Sequence, residues 1–354
     1  MGVPNILKVT ALTISNEYNP IDNLPDELLI YILQFLPLDS VLECENVCRR
    51  WQKILRDQKV WKNKVVIYSG KSGQSDVTEK SAKIIETHHN YIRCLKLQYL
   101  DSYPVIMSIL KQCTNLTSIE LVMCRVNKEF EQEIKKWPNL KRINLKNSLI
   151  STASVDLAIP FDSFKQLKYL ALADFGLPVL TRESLFTCNY LSHIFIEKIK
   201  NLNLEYVHKL IQTKIDILQA LHIYGGDAVT DETLYLLSKC KSMKDLAVIR
   251  CENLTDKGLI NLADFKMIER LQIWNNIYFT EKNLRQTLSS PNLVKLKGLS
   301  LSRIGNISPS IVDIISEYYT NLKFLALYQC PKIINTDYEK QLNSKFRNIN
   351  VVLY

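Results

Sequence analysis

CKSMKDLAVIRCENLTDKGLINL, residues 240–262, reads as one complete structural unit. Met243, Leu246 and Val248 follow an L-x-x-L-x-L spacing whose last two positions alternate like a strand with one buried face. Cys251 comes five residues after the central Leu246. Thr255 and Asp256 then supply an N-cap and a first-turn carboxylate for a short helix carrying Leu259 and Leu262. The unit is strand, turn, helix. An element of this size cannot bury its apolar side alone, so it implies copies of itself on either side.

Those copies are present. The template recurs around Leu95, Ile119, Ile143, Leu170, Ile194, Leu221, Leu246, Leu271, Leu299, Leu325 and Ile349, at steps of 24 to 28 residues. Cys124, Cys251, Asn276 and Cys330 hold the position five residues past a central one, where an amide or thiol can serve the turn. Leu100, Ser148, Phe175, Ile199, Gly226 and Ile304 replace them elsewhere, and those turns are expected to be irregular. Thr230 with Asp231, Thr280 with Glu281, and Ser308 with Pro309 repeat the helix start. The pattern closely resembles the cysteine-containing leucine-rich repeat. It predicts an α/β solenoid of about eleven units over 92–354, a horseshoe with a parallel sheet inside and short helices outside.

A second pattern precedes the repeats. Residues 21–64 read IDNLPDELLIYILQFLPLDSVLECENVCRRWQKILRDQKVWKNK. Asp22 or Asn23 is placed to cap a helix beginning near Pro25, with Asp26 and Glu27 in its first turn. Leu28, Ile32 and Leu36 form one apolar row and Leu29 and Leu33 another. Ser40 and Glu43 have capping-box spacing for a second helix, and Val47, Trp51 and Leu55 line a third. Three short helices display more apolar surface than so small a bundle hides, which implies a docking partner. Leu24 and Pro25, Leu28, Ile32 and Leu33, Leu36 and Pro37, the Val47 to Trp51 run and Trp61 resemble the F-box motif along its whole length.

That resemblance implies an S-phase-kinase-associated adaptor as partner, bound through Leu24, Pro25, Leu28, Ile32, Leu33, Leu36, Pro37 and Val41. Through the adaptor it implies a cullin scaffold and a RING ubiquitin ligase of SCF type, with the repeats holding a protein substrate. The expected organisation is an N-terminal tail (1–20), an F-box (21–65), a linker and solenoid start (66–91) and the repeats (92–354). Tyr68 to Gln74, YSGKSGQ, reads as the boundary loop.

The residues between and just after the template leucines should face the concave side. Phe195, His222, Tyr224, Ile249, Arg250, Arg270, Trp274, Arg303 and Tyr328 fall there and are the expected substrate-binding residues. Tyr224, Ile249 and Trp274 hold one strand position in three successive units and should lie side by side. With Arg250, Arg270 and Arg303 beside them they have the composition of a protein-binding hot spot, and Asp245 is expected among the exposed positions nearby.

Composition narrows the rest. Of 354 residues 47% are hydrophobic and 23% charged, with few Gly and Pro, which excludes disorder and collagen-like sequence. No charge-free stretch approaches the roughly 20 residues of a membrane span, and residues 1–20 lack a leader pattern. A cytoplasmic or nuclear location is therefore expected. The nine cysteines are scattered singly, as thiols of a reducing compartment. Six hold repeat positions, and Cys44 and Cys48 are read as core thiols rather than metal ligands. The net charge of +9 lies wholly in the repeat segment, yet the concave positions are far less basic than a phosphate-tracking groove. None of the five histidines sits in a catalytic or metal motif, so neither enzyme chemistry nor a metal or other cofactor is expected. The alternatives are a scaffold acting outside ubiquitination and a nucleic-acid-binding repeat protein.

Overall fold

The computed structural model describes residues 20–70, 75–146, 149–150, 158–174, 176–199, 202–224, 228–334, 336–346 and 349–353. The expected tail up to residue 19, the loop residues 71–74 and the turn residues Ser148, Phe175 and Gly226 lie outside them. The chain divides into two units, Met1–Lys64 and Val65–Tyr354.

The smaller unit contains α1 (Asp26–Leu33), α2 (Leu38–Glu45), α3 (Arg49–Leu55) and a single-turn α4 (Gln58–Trp61). Its core is Leu29, Leu33, Val41, Ile54, Leu55, Val60 and Trp61. The Trp61 indole donates to the Leu55 carbonyl at 2.7 Å, so the ring is buried without an orphan donor. Two basic side chains close the two ends of α1. Arg50 binds Asp26 and the carbonyls of Asp22 and Leu24. Lys64 donates to the carbonyls of Gln34 and Leu36, satisfying acceptors that follow the last turn of α1. Burial pushes the Lys64 ammonium pKa down.

Local details differ from the sequence reading. Asp22 and Asn23 sit in a 3-10 turn, and Pro25 occupies the N-cap of α1 without a side-chain cap. The spacing of Ser40 and Glu43 is not used as a capping box, because Pro37 starts α2 earlier, at Leu38. Val47 is exposed, and Cys48 is an exposed N-cap whose Sγ accepts from the Trp51 amide rather than a core thiol.

The larger unit is built on β1 (Val65–Ser69), β2 (Cys94–Gln98), β3 (Ser118–Val122), β4 (Arg125–Val126), β5 (Arg142–Leu145), β6 (Leu149–Ile150) and β7 (Tyr169–Ala173). It continues through β8 (His193–Glu197), β9 (Ala220–Tyr224), β10 (Asp245–Ile249), β11 (Arg270–Trp274), β12 (Gly298–Ser302), β13 (Phe324–Ala326) and β14 (Asn350–Val352). Twelve of these form one parallel sheet in chain order, and the two-residue β4 and β6 pair separately. Eleven strands carry the template; β1 precedes them, so Tyr68 and Ser69 belong to a strand rather than a loop. Between the strands come α5 (Ser75–His88), α6 (Tyr103–Gln112), α7 (Lys128–Glu133), α8 (Val179–Ser184) and α9 (Leu204–Lys214). They are followed by α10 (Asp231–Ser238), α11 (Asp256–Asn261), α12 (Glu281–Leu288), α13 (Pro309–Tyr318) and α14 (Glu339–Lys345).

Strand alternation puts the template leucines into the core and leaves β2, β3 and β8 half-exposed at every other residue. Among the described residues, eight of the strands are followed by the same backbone step. Tyr99, Met123, Asp174, Lys198, Arg250, Asn275, Arg303 and Gln329, all four residues past a central position, have φ between 48° and 60°. A non-glycine residue there costs roughly 1–2 kcal/mol, and the hydrogen bonds the step permits offset it. The amides of Tyr99, Arg250, Asn275 and Arg303 reach the carbonyls of Val122, Trp274, Ser302 and Tyr328 in the next repeat. The step also turns the following side chain inward, which is why Cys124, Cys251, Asn276 and Cys330 are buried. Leu100, Ile199 and Ile304 follow the same step and are buried too, so those turns are regular rather than irregular. The position requires an inward-pointing side chain, not an amide or thiol. Burial pushes the Cys113, Cys240 and Cys251 thiols up to about 12.

The helix starts are joined across repeats. Asp231, first residue of α10, accepts from both the amide and the hydroxyl of Thr255, the N-cap of α11, at 2.8 and 2.6 Å. Asp256 does the same for Thr280, at 2.9 and 2.7 Å, and Glu281 accepts from Ser308. Close approach of α10 and α11 explains Gly258, where a Cβ would stand 2.3 Å from Asp231 Oδ1 and 3.0 Å from its Cα. Alanine normally stabilises a helix interior by up to about 1 kcal/mol over glycine. Here Gly258→Ala is expected to do the reverse, lowering stability by about 1–3 kcal/mol through overpacking, while Gly305→Ala, which meets open space, leaves the melting temperature unchanged. Thermal denaturation of the two variants checks this.

Candidate functional site

Two surfaces stand out, one on each unit. On the smaller, α1 has two apolar faces. Leu29 and Leu33 point inward, whereas Leu28 (51% exposed), Tyr31 and Ile32, continued by Phe35 (70% exposed) in the turn after the helix, form an outward stripe. Tyr31 and Phe35 meet edge to face at 5.3 Å, and exposed Val47 adds to the apolar surface of the unit. Of the residues expected at the adaptor surface, Leu28, Ile32, Pro25 and Pro37 are exposed and Leu24 and Leu36 are half-buried. Leu33 (2%) and Val41 (0%) are not at the surface; each fills the small core, so neither is available to a partner. Tyr31 and Phe35 were not singled out from sequence, although with Leu28 and Ile32 they complete an i, i+3, i+4, i+7 row.

On the larger unit the strand register arranges the concave residues in three columns. The last runs Glu197, Tyr224, Ile249, Trp274, Ser302, so the three apolar residues are direct neighbours. Ser302 separates them from Tyr328. The middle column runs Phe195, His222, Ala247, Gln272, Ser300, and the first runs Tyr169, His193, Ala220, Asp245, Arg270, Gly298, Phe324.

Across these columns runs a chain of contacts. The Arg142 guanidinium lies 3.4 Å over the Tyr169 ring, Tyr169 packs on Phe195 at 4.8 Å, and Phe195 meets His222 edge-on at 4.3 Å. His222 Nε2 donates to Asp245 Oδ1 at 2.8 Å, and Arg270 Nε donates to Oδ2 at 2.7 Å. Asp245, expected exposed, is buried beneath these two partners. Burial alone would push its carboxyl up, but hydrogen bonds and charge from His222 and Arg270 hold it below the usual carboxylate range. Burial likewise pushes the His193 imidazole down. Long side chains fold over small ones here: Ala171, Ala247 and Ser300 are buried although they face the concave side.

The remaining expected residues are partly engaged. Arg250 lies 5.6 Å over the Tyr224 ring and Arg303 5.6 Å over Tyr328. Arg303 also bonds Gln329 at 2.6 Å, and the Trp274 indole, 37% exposed, donates to Ser300 Oγ at 2.6 Å. Arg250, Arg270 and Trp274 stay exposed, while Phe195, His222, Tyr224, Ile249, Arg303 and Tyr328 are half-buried. The arrangement supplies apolar and cationic contacts. Among the described residues no three His, Cys, Asp or Glu side chains are grouped to hold a metal ion, and no helix is long and apolar enough to cross a membrane.

The chain thus combines an F-box-like domain with a solenoid of leucine-rich-repeat type. Residues 21–66 match the F-box-like family. Over most of its length the chain is similar in fold to one from the crystal structure of the yeast Rad7 and Elc1 complex, with 14% identity, 92% of each chain covered and a TM-score of 0.55. An internalin of Listeria monocytogenes matches at 16% identity over 89% of this chain and 94% of its own, with a TM-score of 0.43.

Replacing Asp245 tests the inner-face network. Its folded carboxyl ionises at lower pH than an unfolded one, so the folded state binds fewer protons, and the stabilisation is complete above the ordinary aspartate pKa near 4 and drains as pH falls through and below it. Asp245→Asn is expected to cost about 1–3 kcal/mol at neutral pH and to flatten the stability loss below about pH 4, read by urea titration across pH.

Proposed function

We propose that this protein is a substrate-recognition subunit of an SCF-type cullin-RING ubiquitin ligase. The observation that carries the reading is the outward stripe of Leu28, Tyr31, Ile32 and Phe35 on an F-box-like domain whose core is already filled by Leu29, Leu33 and Val41. An aromatic and aliphatic stripe of this kind on so small a unit suits a permanent protein partner, and the S-phase-kinase-associated adaptor is the partner the F-box resemblance implies. The repeats supply the second surface, with the row Tyr224, Ile249 and Trp274 assigned to the protein substrate. A receptor of this design breaks no bond itself. It raises the local concentration of substrate beside the ubiquitin-loaded enzyme, so its output is set by affinity at two surfaces. Work in the cytoplasm or nucleus fits its unpaired buried thiols.

Capture of purified adaptor by the full chain tests the proposal. Phe35→Asp and Ile32→Glu, both at exposed positions, should each cost at least about 2 kcal/mol of adaptor affinity, a factor of about 30, with the melting temperature unchanged. Leu33→Ala should instead lower stability by about 2–5 kcal/mol through the cavity it leaves. Undiminished capture by both surface variants would falsify the assignment.

A further inference from the structure

The first concave column contains a gap. Arg270, Gly298 and Phe324 are register partners on β11, β12 and β13, and the glycine leaves an empty place between two large side chains. The space is a cavity of about 320 Å³ whose walls are Arg270 and Phe324 and whose floor is Leu299 and Ser300. Two strand spacings set the walls about 9.5 Å apart at the backbone, enough for one aromatic ring with van der Waals contact of about 3.5 Å on each face. The hydrogen bond from Nε to buried Asp245 fixes the guanidinium of Arg270 in place, and Phe324 offers a half-open ring. A ring entering the slot would stack on a cation on one side and a phenyl on the other.

The rim adds charge. Lys297 and Lys323 flank the opening together with Glu269. Glu269 is already bound to Lys297 at 2.6 Å, which holds its carboxyl below the usual range. Asp245 is committed to His222 and Arg270. Lys323 is exposed and has no ion pair among the described residues. The opening is therefore net positive.

We infer that this slot receives an aromatic side chain of a protein partner, with a carboxylate beside that residue facing Lys323. The receptor reading is used only to say who supplies the segment; the slot's chemistry stands on its own geometry. Gly298 is the determinant. A Cβ there would meet only the Arg270 side chain, Cγ at 3.4 Å and Cδ at 4.0 Å, and no backbone atom within 4 Å, so a side chain at this position enters the slot beside the Arg270 stem rather than against the sheet.

The test is fluorescence anisotropy with the full chain and a fluorescein-labelled peptide of one tyrosine between glutamates. Wild type should bind it at least tenfold tighter than versions with alanine for the tyrosine or lysines for the glutamates. Gly298→Val and Lys323→Glu should each weaken binding at least tenfold with unchanged melting temperature; Lys323 is exposed, so that variant remains informative if Gly298→Val folds poorly. No binding by wild type, equal binding by wild type and both variants, or indifference to the glutamates overturns the inference. Binding confined to a phosphotyrosine version overturns the carboxylate assignment. Adaptor capture is measured in parallel. Capture retained by Gly298→Val with peptide binding lost isolates the slot, whereas wild type that binds the peptide but not the adaptor sinks the receptor reading and leaves the slot standing.

Discussion

The hydrogen bond from each strand to the next copy of itself is the constraint on which the larger unit rests. No repeat can satisfy its own strand, so amides such as Lys244 and Asp245 share the Gln219 carbonyl of the preceding unit, and Glu269 and Arg270 share that of Lys244. At Tyr99, Asp174, Lys198, Arg250, Asn275 and Arg303 the left-handed residue after a strand extends the ladder by one bond, and the first-turn carboxylates of α10, α11 and α12 repeat the logic on the helical side by closing the start of the following helix. Stability in such a stack is a sum of nearest-neighbour terms. Because the bonds fix the register, they also fix which concave side chains become neighbours.

Register alone does not make a binding face. Between β5 and β11 the concave residues largely satisfy one another: Arg142 spends its charge on Tyr169, and His222 and Arg270 spend theirs on Asp245. Docking a partner against the polar groups of the first and middle columns here gains little, because they already have partners, so binding along this stretch falls to the apolar row Tyr224, Ile249 and Trp274 of the last column. The unsatisfied chemistry lies where a small residue is not roofed over, at Gly298, and along the exposed edge marked by Trp274.

The solenoid was legible in the sequence because its period and its two-residue alternation are local and repeated; leucines 24 to 28 residues apart state the strand positions directly. The adjacency of Tyr224, Ile249 and Trp274 followed from the same count. What a period cannot encode is the rotamer each side chain chooses. Asp245 looked exposed because its position is concave, and only its neighbours one repeat away, His222 and Arg270, bury it; an acid and a base at equal repeat positions in Asp245 and Arg270 was the available signal. In the smaller unit both faces of α1 are apolar, so hydrophobicity did not separate Leu33, which fills the core, from Phe35, which faces water. The left-handed step was hidden as well, since Tyr, Met, Lys and Arg hold it as readily here as Asn.

The carboxylate of one helix start closing the next has a consequence for how this chain can change in length. An insertion or deletion inside the α10 to α12 stretch that is not a whole repeat strands a Thr amide without its Asp and breaks the ladder at both junctions, whereas loss or gain of one entire unit of about 25 residues rejoins equivalent partners. Length variation is therefore quantised, and each quantum inserts one residue into every column of the inner face and moves former neighbours one strand apart, so duplicating a repeat is also a way of rewriting what the face can hold.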